Sequence, residues 1–468
     1  MLFQSQIFFV FVLIFIILYW VIDKKVFKNI ILLTSSLLFY AFWDFHYILI
    51  LVFSIIFNFY LGYYLSNNKS KFILLIGCFV NLSILGFFKY LNFGIDTLNQ
   101  FLEYYNSTFS MVNLSIILPI GISFYTFQNI SYIVDMYYRR YKPYKSKIDF
   151  SVYISFFPQL IAGPIVRGNY FQKQINRVIN FDWKLISTGC GIFIIGVFKK
   201  VVLADQASIF ANAAFNVENE LSSFLTLIGI FAFSFQIYFD FSGYTDMARG
   251  IAYCFGIKLP INFLNPYNAM GFSDFWRRWH ITLSDWLRDY LFIPLGGSKV
   301  VKFKIYRNLI ITMFLGGLWH GAGWNFIIWG LIHGAFLSIE LLLFKKKLKK
   351  IDSPLIKFLI TLLTYLCICF AWIFFRAEDF TSAIIVIKNI FLYHENISYL
   401  YQANLFKFQN WLLGFILPSC ILLFSYFKVF DKTFKNYNPI FSILFLLGLV
   451  CLTIISTRGS SEFIYFQF

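Results

Sequence analysis

The chain has 468 residues, of which 59% are hydrophobic, 22% aromatic and 13% charged. Soluble globular domains carry about 45–50% apolar and about 25% charged residues, so this composition excludes an ordinary soluble fold. The net charge of +17 does not indicate nucleic-acid binding, because the Lys and Arg residues stand in short clusters between apolar runs. The composition is that of a polytopic membrane protein.

Apolar runs long enough to enter a bilayer follow one another along the whole chain. The first, residues 1–22, meets a Lys cluster at its C-terminal side, which is the reverse of a cleavable signal peptide. Together the runs predict about 11 to 13 transmembrane or re-entrant helices in one membrane-embedded domain, residues 1–468. The later runs fall at residues 29–43, 47–65, 72–88, 114–137, 150–166, 184–203, 222–243, 306–319, 324–344, 356–375, 409–427 and 439–456.

Five basic clusters separate these runs and predict the topology. Lys and Arg are enriched in cytoplasmic loops, so we assign the clusters to the cytoplasm. Both chain ends are then extracytoplasmic, and residues 457–468 form an extracytoplasmic tail. The clusters are Lys24 with Lys25 and Lys28, Lys69 with Lys71, and residues 139–147, 345–357 and 428–435.

Helix-breaking residues concentrate between about residues 150 and 320. Non-helical backbone at membrane depth is tolerated where it is buried or lines a wet cavity, so we expect the chemistry in this part of the chain. The predicted breaks are Gly163, Pro164, Pro260, Pro266, Pro294, Gly296, Gly297, Gly316 and Gly317.

Of five histidines, only His320 and His333 fall within strongly apolar runs. An ionisable group at membrane depth is a functional-site hypothesis by default. Glycines and two tryptophans, Trp319 and Trp324, surround His320, so a substrate has room to approach and water is kept away. The alternative for both histidines is a neutral, hydrogen-bonded structural role.

Residues 272–294 have the apolar spacing of an amphipathic helix with an aromatic face. His280 is predicted at its polar boundary, beside Arg277 and Arg278. Such a helix is either an interfacial anchor or the mouth of a cavity where Arg277, Arg278 and His280 hold an anionic substrate.

Gln236, Asp240 and Asp246 are polar groups near the end of an apolar run, and they either pair structurally or line an aqueous funnel. The seven cysteines include no CxxC pair and are interpreted as small core residues. No zinc ligand set and no soluble catalytic motif is present.

Five segments together resemble the membrane-bound O-acyltransferase superfamily. Within it the match is closest to the branch that holds the alginate and peptidoglycan O-acetyltransferase membrane subunits and the teichoic acid D-alanyl transferase. The motifs run in order from about residue 118 to residue 334. The segments are residues 118–128, 157–164, 238–246, 275–284 and 318–321.

The resemblance implies a ring of helices around a conduit that connects a cytoplasmic donor site to an extracytoplasmic acceptor funnel. His320 matches the family's active-site histidine and would act as general base, and His280 matches its second characteristic histidine and would support or position. An imidazole suits base catalysis because its pKa lies near operating pH. The residues expected to bind substrate are Trp319, Asp240, Arg277, Arg278 and Asn325.

The segment 463–468 fits the pattern F-x-Y-x-x-F, which occurs at the C-terminus of the partner peptide of the D-alanyl system and on some acetyltransferases of this branch. The resemblance implies that Tyr465 is a covalent acyl carrier, a phenol activated by a nearby base. The alternative is an aromatic tail that docks at the membrane interface.

These expectations combine into an enzyme that passes acetyl from cytoplasmic acetyl-CoA, through His320 and Tyr465, to an extracytoplasmic partner of the SGNH-type esterase or transferase class. The partner would acetylate a cell-envelope glycan, with peptidoglycan favoured over alginate, at a bacterial inner membrane. Acetyl-CoA is a donor substrate, and no tightly bound cofactor or metal is expected. Two alternatives stay open: D-alanyl transfer from a carrier-protein thioester, and a transporter that moves the acyl donor without bond chemistry.

Overall fold

The structure is a computed structural model that describes residues 3–107, 109–161, 163–216, 222–344, 348, 351–391, 407–426, 447–451 and 453. Within these residues every regular element is helical, and the predicted all-α class is confirmed. The α-helices of the first half are α1 (Gln6–Val21), α2 (Lys25–Ala41), α3 (Ile48–Asn67), α4 (Lys71–Tyr104), α5 (Ile122–Tyr137), α6 (Lys147–Ser155), α7 (Phe157–Leu160), α8 (Gly168–Ile175), α9 (Trp183–Phe198), α10 (Asp205–Phe215) and α11 (Ser223–Cys254). Those of the second half are α12 (Phe272–Trp276), α13 (Ile281–Leu287), α14 (Lys302–His320), α15 (Trp324–Leu343), α16 (Pro354–Arg376), α17 (Phe380–Asn389), α18 (Phe408–Trp411) and α19 (Leu417–Tyr426).

Seven helical stretches in the described part of the chain are long and apolar enough to cross a membrane, and the chain is a multi-pass integral membrane protein. Other helices, such as the 16-residue α1, are apolar but shorter. The ring of helices, the conduit and the total of about 11 to 13 transmembrane or re-entrant helices stay predictions. The seven stretches are Phe45–Asn67, Lys71–Tyr104, Trp183–Phe215, Ser223–Cys254, Trp324–Leu343, Pro354–Arg376 and Phe408–Tyr426.

One compact unit comprises Met1–Cys190 and Ala248–Pro260. Its helices are joined by buried amide pairs: Asn58 and Asn81 exchange hydrogen bonds of 3.0 and 2.9 Å between α3 and α4. Between α5 and α3, Asn129 donates to the Ser54 hydroxyl at 2.8 Å. Without water to satisfy them, such groups must bond to each other, so they fix how these helices pack.

The second compact unit comprises Gly191–Met247 and Ile261–Phe468, and its centre is the antiparallel pair α14 and α15. The two backbones touch at glycines: a Cβ on Gly317 would lie 2.3 Å from the Phe326 carbonyl oxygen, and one on Gly330 would lie 2.3 Å from that of Met313. The predicted helix break at Gly316 and Gly317 is therefore wrong. These glycines continue α14, and Gly317 serves close helix packing.

The prediction of one amphipathic helix over residues 272–294 is also wrong. The chain forms α12, leaves the helix at Arg277, resumes as α13 and ends in a π-helical segment, Arg288–Phe292. His280 adopts φ of 41° in the left-handed region and is 0% exposed, so it does not lie at a polar boundary. The reason is non-local: Leu264 N–H donates to the Arg278 carbonyl and Ile281 N–H donates to the Asn262 carbonyl.

Candidate active site

His320 is the last residue of α14 and is 4% exposed. Its ring centroid lies 5.0 Å from that of Trp319 and 5.1 Å from that of Trp329. Phe375 of α16 supplies a third aromatic neighbour at 5.3 Å. The turn between α14 and α15 thus places an ionisable ring inside an aromatic enclosure, where the sequence predicted a candidate site.

The structure brings His280 to the same enclosure, with a ring centroid 6.4 Å from that of His320. The ring of Phe241 meets His280 edge-on at 4.8 Å, and Trp319 lies 6.0 Å away. Burial lowers the pKa of His280, which lies outside the candidate spans, below its ordinary value. The ring is therefore neutral near pH 7.

A hydrogen bond fixes one side of His280: its Nδ1 lies 3.2 Å from the Asn262 side-chain oxygen. The same oxygen accepts from the backbone N–H and the hydroxyl of Thr282, at 3.1 and 3.0 Å. Asn262 is 1% exposed. Sequence reasoning did not single out Asn262, and its only signal was a polar residue within the aromatic segment that follows Pro260.

His333 lies on α15, one helix turn beyond Trp329, and is 0% exposed. Trp276 donates its indole N–H to Nδ1 of His333 at 3.3 Å. The Trp329 ring lies 5.1 Å from His320 and 4.7 Å from His333, so it stands against both histidines. The hydrogen bond to Nδ1 and the packing of Trp329 favour a neutral, structural role for His333 over a catalytic one.

Two predicted substrate-binding groups are engaged by the protein itself. Asn325 donates to the Ala377 carbonyl at 2.7 Å, which fastens the start of α15 to the end of α16. Asp240 of α11 lies 3.0 Å from the ammonium of Lys200, which also lies 2.8 Å from Asp205. Lys200, in the π-helical segment Lys199–Ala204, is a further residue that sequence reasoning missed, although two adjacent lysines in an apolar run are a visible signal.

The two arginines lie outside the aromatic enclosure. Both pair with Asp274, Arg278 at 2.9 Å and Arg277 at 3.7 Å, and the Arg277 side chain is 60% exposed. Glu340 of α15 accepts from the backbone N–H groups of Phe272 and Ser273, so it caps α12 and steadies the segment that leads to His280. Substrate binding by the arginines stays a prediction.

Tyr465, His394 and the tail 457–468 lie outside the described residues. Among the residues that the structure does describe, no group of three or more His, Cys, Asp or Glu side chains is arranged to hold a metal ion. The arrangement that the structure does offer is two buried imidazoles, with ring centroids 6.4 Å apart, within an aromatic enclosure. Such a site is suited to proton transfer where water is excluded.

The model of the membrane-bound O-acyltransferase family matches residues 144–374, which include His280, His320 and His333, the three histidines buried within the described part of the chain. A protein named peptidoglycan O-acetyltransferase, from Helicobacter pylori, is 41% identical over 399 residues, covering 78% of this chain and 74% of its own length. The chain belongs to the membrane-bound O-acyltransferase family. The resemblance drawn from the motifs is thereby confirmed.

Other members of the family are similar to this chain over longer or shorter parts of its sequence. A Pseudomonas aeruginosa protein named probable alginate O-acetylase is 39% identical over 416 residues, covering 87% of this chain and 78% of its own length. A Streptococcus thermophilus teichoic acid D-alanyltransferase is 30% identical over 259 residues, covering 52% of this chain and 60% of its own length. The similarity therefore extends further along the chain for the two O-acetylating relatives.

Proposed function

We propose that this membrane-bound O-acyltransferase transfers acetyl from cytoplasmic acetyl-CoA to an acceptor on the other side of a bacterial inner membrane, for O-acetylation of a cell-envelope polysaccharide. The observation that carries the proposal is the buried pair of His280 and His320, 6.4 Å apart, in a chain similar to O-acetylating relatives. Peptidoglycan is favoured over alginate as the polysaccharide, since the relative with 41% identity is named for peptidoglycan.

His320 serves as general base in this proposal. It accepts the proton of the attacking hydroxyl as the hydroxyl oxygen bonds to the thioester carbonyl carbon, and the carbon–sulfur bond then breaks. The leaving thiolate of CoA takes the proton back. Its place at the C-terminal end of α14 supports the role, because the partial negative charge of a helix C-terminus stabilises the imidazolium that forms.

Tyr465 supplies the attacking hydroxyl, and its acetyl ester is passed to an extracytoplasmic SGNH-type esterase or transferase. The F-x-Y-x-x-F pattern of residues 463–468 supports this role. The predicted topology supports it as well, since it places the tail on the side of the acceptor. Acetyl-CoA, which cannot cross a bilayer, then never has to leave the cytoplasm.

The test is covalent labelling of the purified chain by acetyl-CoA carrying a labelled acetyl group. The wild-type protein is expected to gain label, Tyr465→Phe to lose it, and His320→Ala to acquire it far more slowly. Tyr104→Phe is the matched control, because this tyrosine is 81% exposed and should label like the wild type. Label that persists in Tyr465→Phe eliminates the tyrosine carrier, and a wild-type rate in His320→Ala eliminates the general base.

The same assay separates the two alternatives. Label from a D-alanyl carrier-protein thioester and none from acetyl-CoA would identify a D-alanyl transferase, the activity for which the Streptococcus thermophilus relative is named. A transporter would leave the thioester intact, whether or not an acceptor is present.

A further inference from the structure

The hydrogen bonds around Asn262 determine which of its side-chain atoms is the oxygen. The backbone N–H of Thr282 lies 3.1 Å from the atom assigned as Oδ1. A backbone N–H only donates, so its partner must be the acceptor of the amide and cannot be the NH₂ group. The Thr282 hydroxyl, 3.0 Å from the same atom, agrees with this assignment. The amide orientation of Asn262 is thereby fixed by groups other than His280.

The fixed amide in turn determines the tautomer of His280. An amide oxygen carries no proton, so the contact of 3.2 Å requires His280 to donate through Nδ1–H. In the neutral ring Nε2 then carries a lone pair. Among the residues that the structure describes, this Nε2 has no hydrogen-bond partner, although the residue is 0% exposed.

The backbone holds His280 in this arrangement at a conformational cost. A φ of 41° lies in the left-handed region, which is unusual for a residue other than glycine and persists only where the surrounding structure enforces it. Two backbone hydrogen bonds flank the histidine, at 2.9 Å from Leu264 to Arg278 and at 3.0 Å from Ile281 to Asn262. The segment that carries Asn262 therefore fixes both the main chain and the ring of His280.

His333, a third buried histidine, is held in the opposite tautomer. The indole N–H of Trp276 can only donate, so Nδ1 of His333 accepts, and the proton of the neutral ring sits on Nε2. Burial by itself therefore does not determine the tautomer, because His333 is buried as well and carries its proton on Nε2.

We propose that Asn262 is a positioning residue for the acyl transfer proposed above: it holds His280 as the Nδ1–H tautomer, so that Nε2 is a proton acceptor beside His320. The inference rests on the proposed function for its role, but the tautomer itself is a property of the resting protein. The tautomer can therefore be measured whether or not the chain transfers acetyl.

The direct test is ¹⁵N NMR of the protein labelled at its histidine ring nitrogens. The spectrum of the wild type minus that of His280→Gln isolates one of five histidines. We expect this ring to show a protonated Nδ1 and an unprotonated Nε2. A proton on Nε2 overturns the proposal, even if the protein is an active acetyltransferase. If the tautomer is as expected but the protein does not transfer acetyl, the proposed function is wrong and the tautomer assignment of His280 is still correct.

Kinetics of variants test the role of Asn262. Asn262→Leu removes the acceptor at similar size, and we expect kcat to fall roughly 10- to 100-fold with the KM for acetyl-CoA little changed, as when an orienting partner of a metal-bound histidine is lost. Thr282→Val is the matched control, because it removes one hydrogen bond to the same oxygen and leaves the His280 contact. It should keep the tautomer and a kcat near the wild-type value.

Asn262→Asp keeps the acceptor oxygen. It provides a second test in case Asn262→Leu does not fold. A carboxylate beside the ring favours the imidazolium and raises the pKa of His280, so the rise of kcat with pH should move to higher pH. The rings packed on His280 come from Phe241, Phe263, Trp319 and His320, of which His320 alone is an ionisable side chain. An unchanged pH profile in this variant, or a folded Asn262→Leu with wild-type kcat, overturns the proposal.

Discussion

Lys200 forms ion pairs with two carboxylates, those of Asp205 and Asp240, and this bears on how Asp240 should be interpreted. The side chains of Lys200 and Asp240 are 4% and 2% exposed, and Asp205 lies on the other side of the ammonium. Of the two interpretations drawn from the sequence, structural pairing or the lining of an aqueous funnel, the geometry favours pairing. Asp240 also precedes Phe241, whose ring packs on His280, so the ion pair steadies one wall of the site.

Removing the lysine alone should be worse than removing the pair. Lys200→Met takes this cation away from the buried Asp240 and the partly buried Asp205, and breaking a buried ion pair in this way costs about 3–5 kcal/mol. Lys200→Met combined with Asp240→Asn removes one stranded charge and should recover part of the loss. Thermal unfolding of the purified proteins in detergent measures both effects. A single variant as stable as the wild type would show that the triad does not stabilise the fold.

At the scale of elements, two helices cross where glycines leave no room for a side chain. A Cβ on Gly196 of α9 would lie 2.6 Å from the Gly243 carbonyl oxygen and 2.6 Å from the Met247 nitrogen, both on α11. These are backbone atoms, which cannot turn aside as a side chain does. Just beyond the crossing, Lys199, the first residue of the π-helical segment that follows α9, forms an ion pair of 2.6 Å with Asp246 of α11.

Gly196→Ala should therefore destabilise the protein, although alanine is the better helix former. Gly86→Ala in α4 is the matched control, because no atom lies within 4 Å of the added carbon. There the lower flexibility of alanine should stabilise the helix by roughly 0.5–1 kcal/mol. The two variants should thus shift the unfolding temperature in opposite directions. If both variants shifted the unfolding temperature equally, the α9–α11 crossing would have room for the added methyl group.

The elements divide into those that local sequence predicts and those that distant contacts decide. Apolar runs predicted α15 and α16 to within two residues, because a span must be uniformly apolar. The break before His280 was missed because it depends on pairing with residues 262–264, about 15 residues earlier. Gly317 was predicted to break α14 but sits within it, since its role is set by Gly330 across the hairpin.

The candidate site divides in the same way. His320 was predicted from its apolar run and its motif, and Trp319, one of the two tryptophans named beside it, packs on its ring. The other, Trp324, is exposed, and Trp329 from one turn further along α15 packs on His320 as the second indole. Asn262 was missed because its importance comes from a contact across 18 residues of chain. A side-chain oxygen that fixes a tautomer leaves no periodic or compositional signal.

For the whole molecule, the predicted topology constrains the number of crossings. Both chain ends on the extracytoplasmic side require an even number of full crossings, whereas seven described helices are long and apolar enough by themselves. At 1.5 Å per residue the 16-residue α1 spans about 24 Å, less than the roughly 30 Å of a typical hydrocarbon core. With both ends outside, at least one further segment would have to cross the membrane. The candidates are the shorter helix α1 and the predicted run 439–456, most of which lies outside the described residues.

Reporter fusions on either side of α4 test this topology. α4 has 34 residues, about 51 Å, and is flanked by Lys69 and Lys71 at its start. The positive-inside rule places that start in the cytoplasm. Alkaline phosphatase, which is active only outside the cytoplasm, should be inactive when fused after Asn68 and active after Asn106. A fusion after Phe468 should be active as well, because the proposed acyl carrier must reach an extracytoplasmic partner. Activity after Asn68 would invert the orientation of this helix, and an inactive fusion after Phe468 would separate Tyr465 from its proposed acceptor.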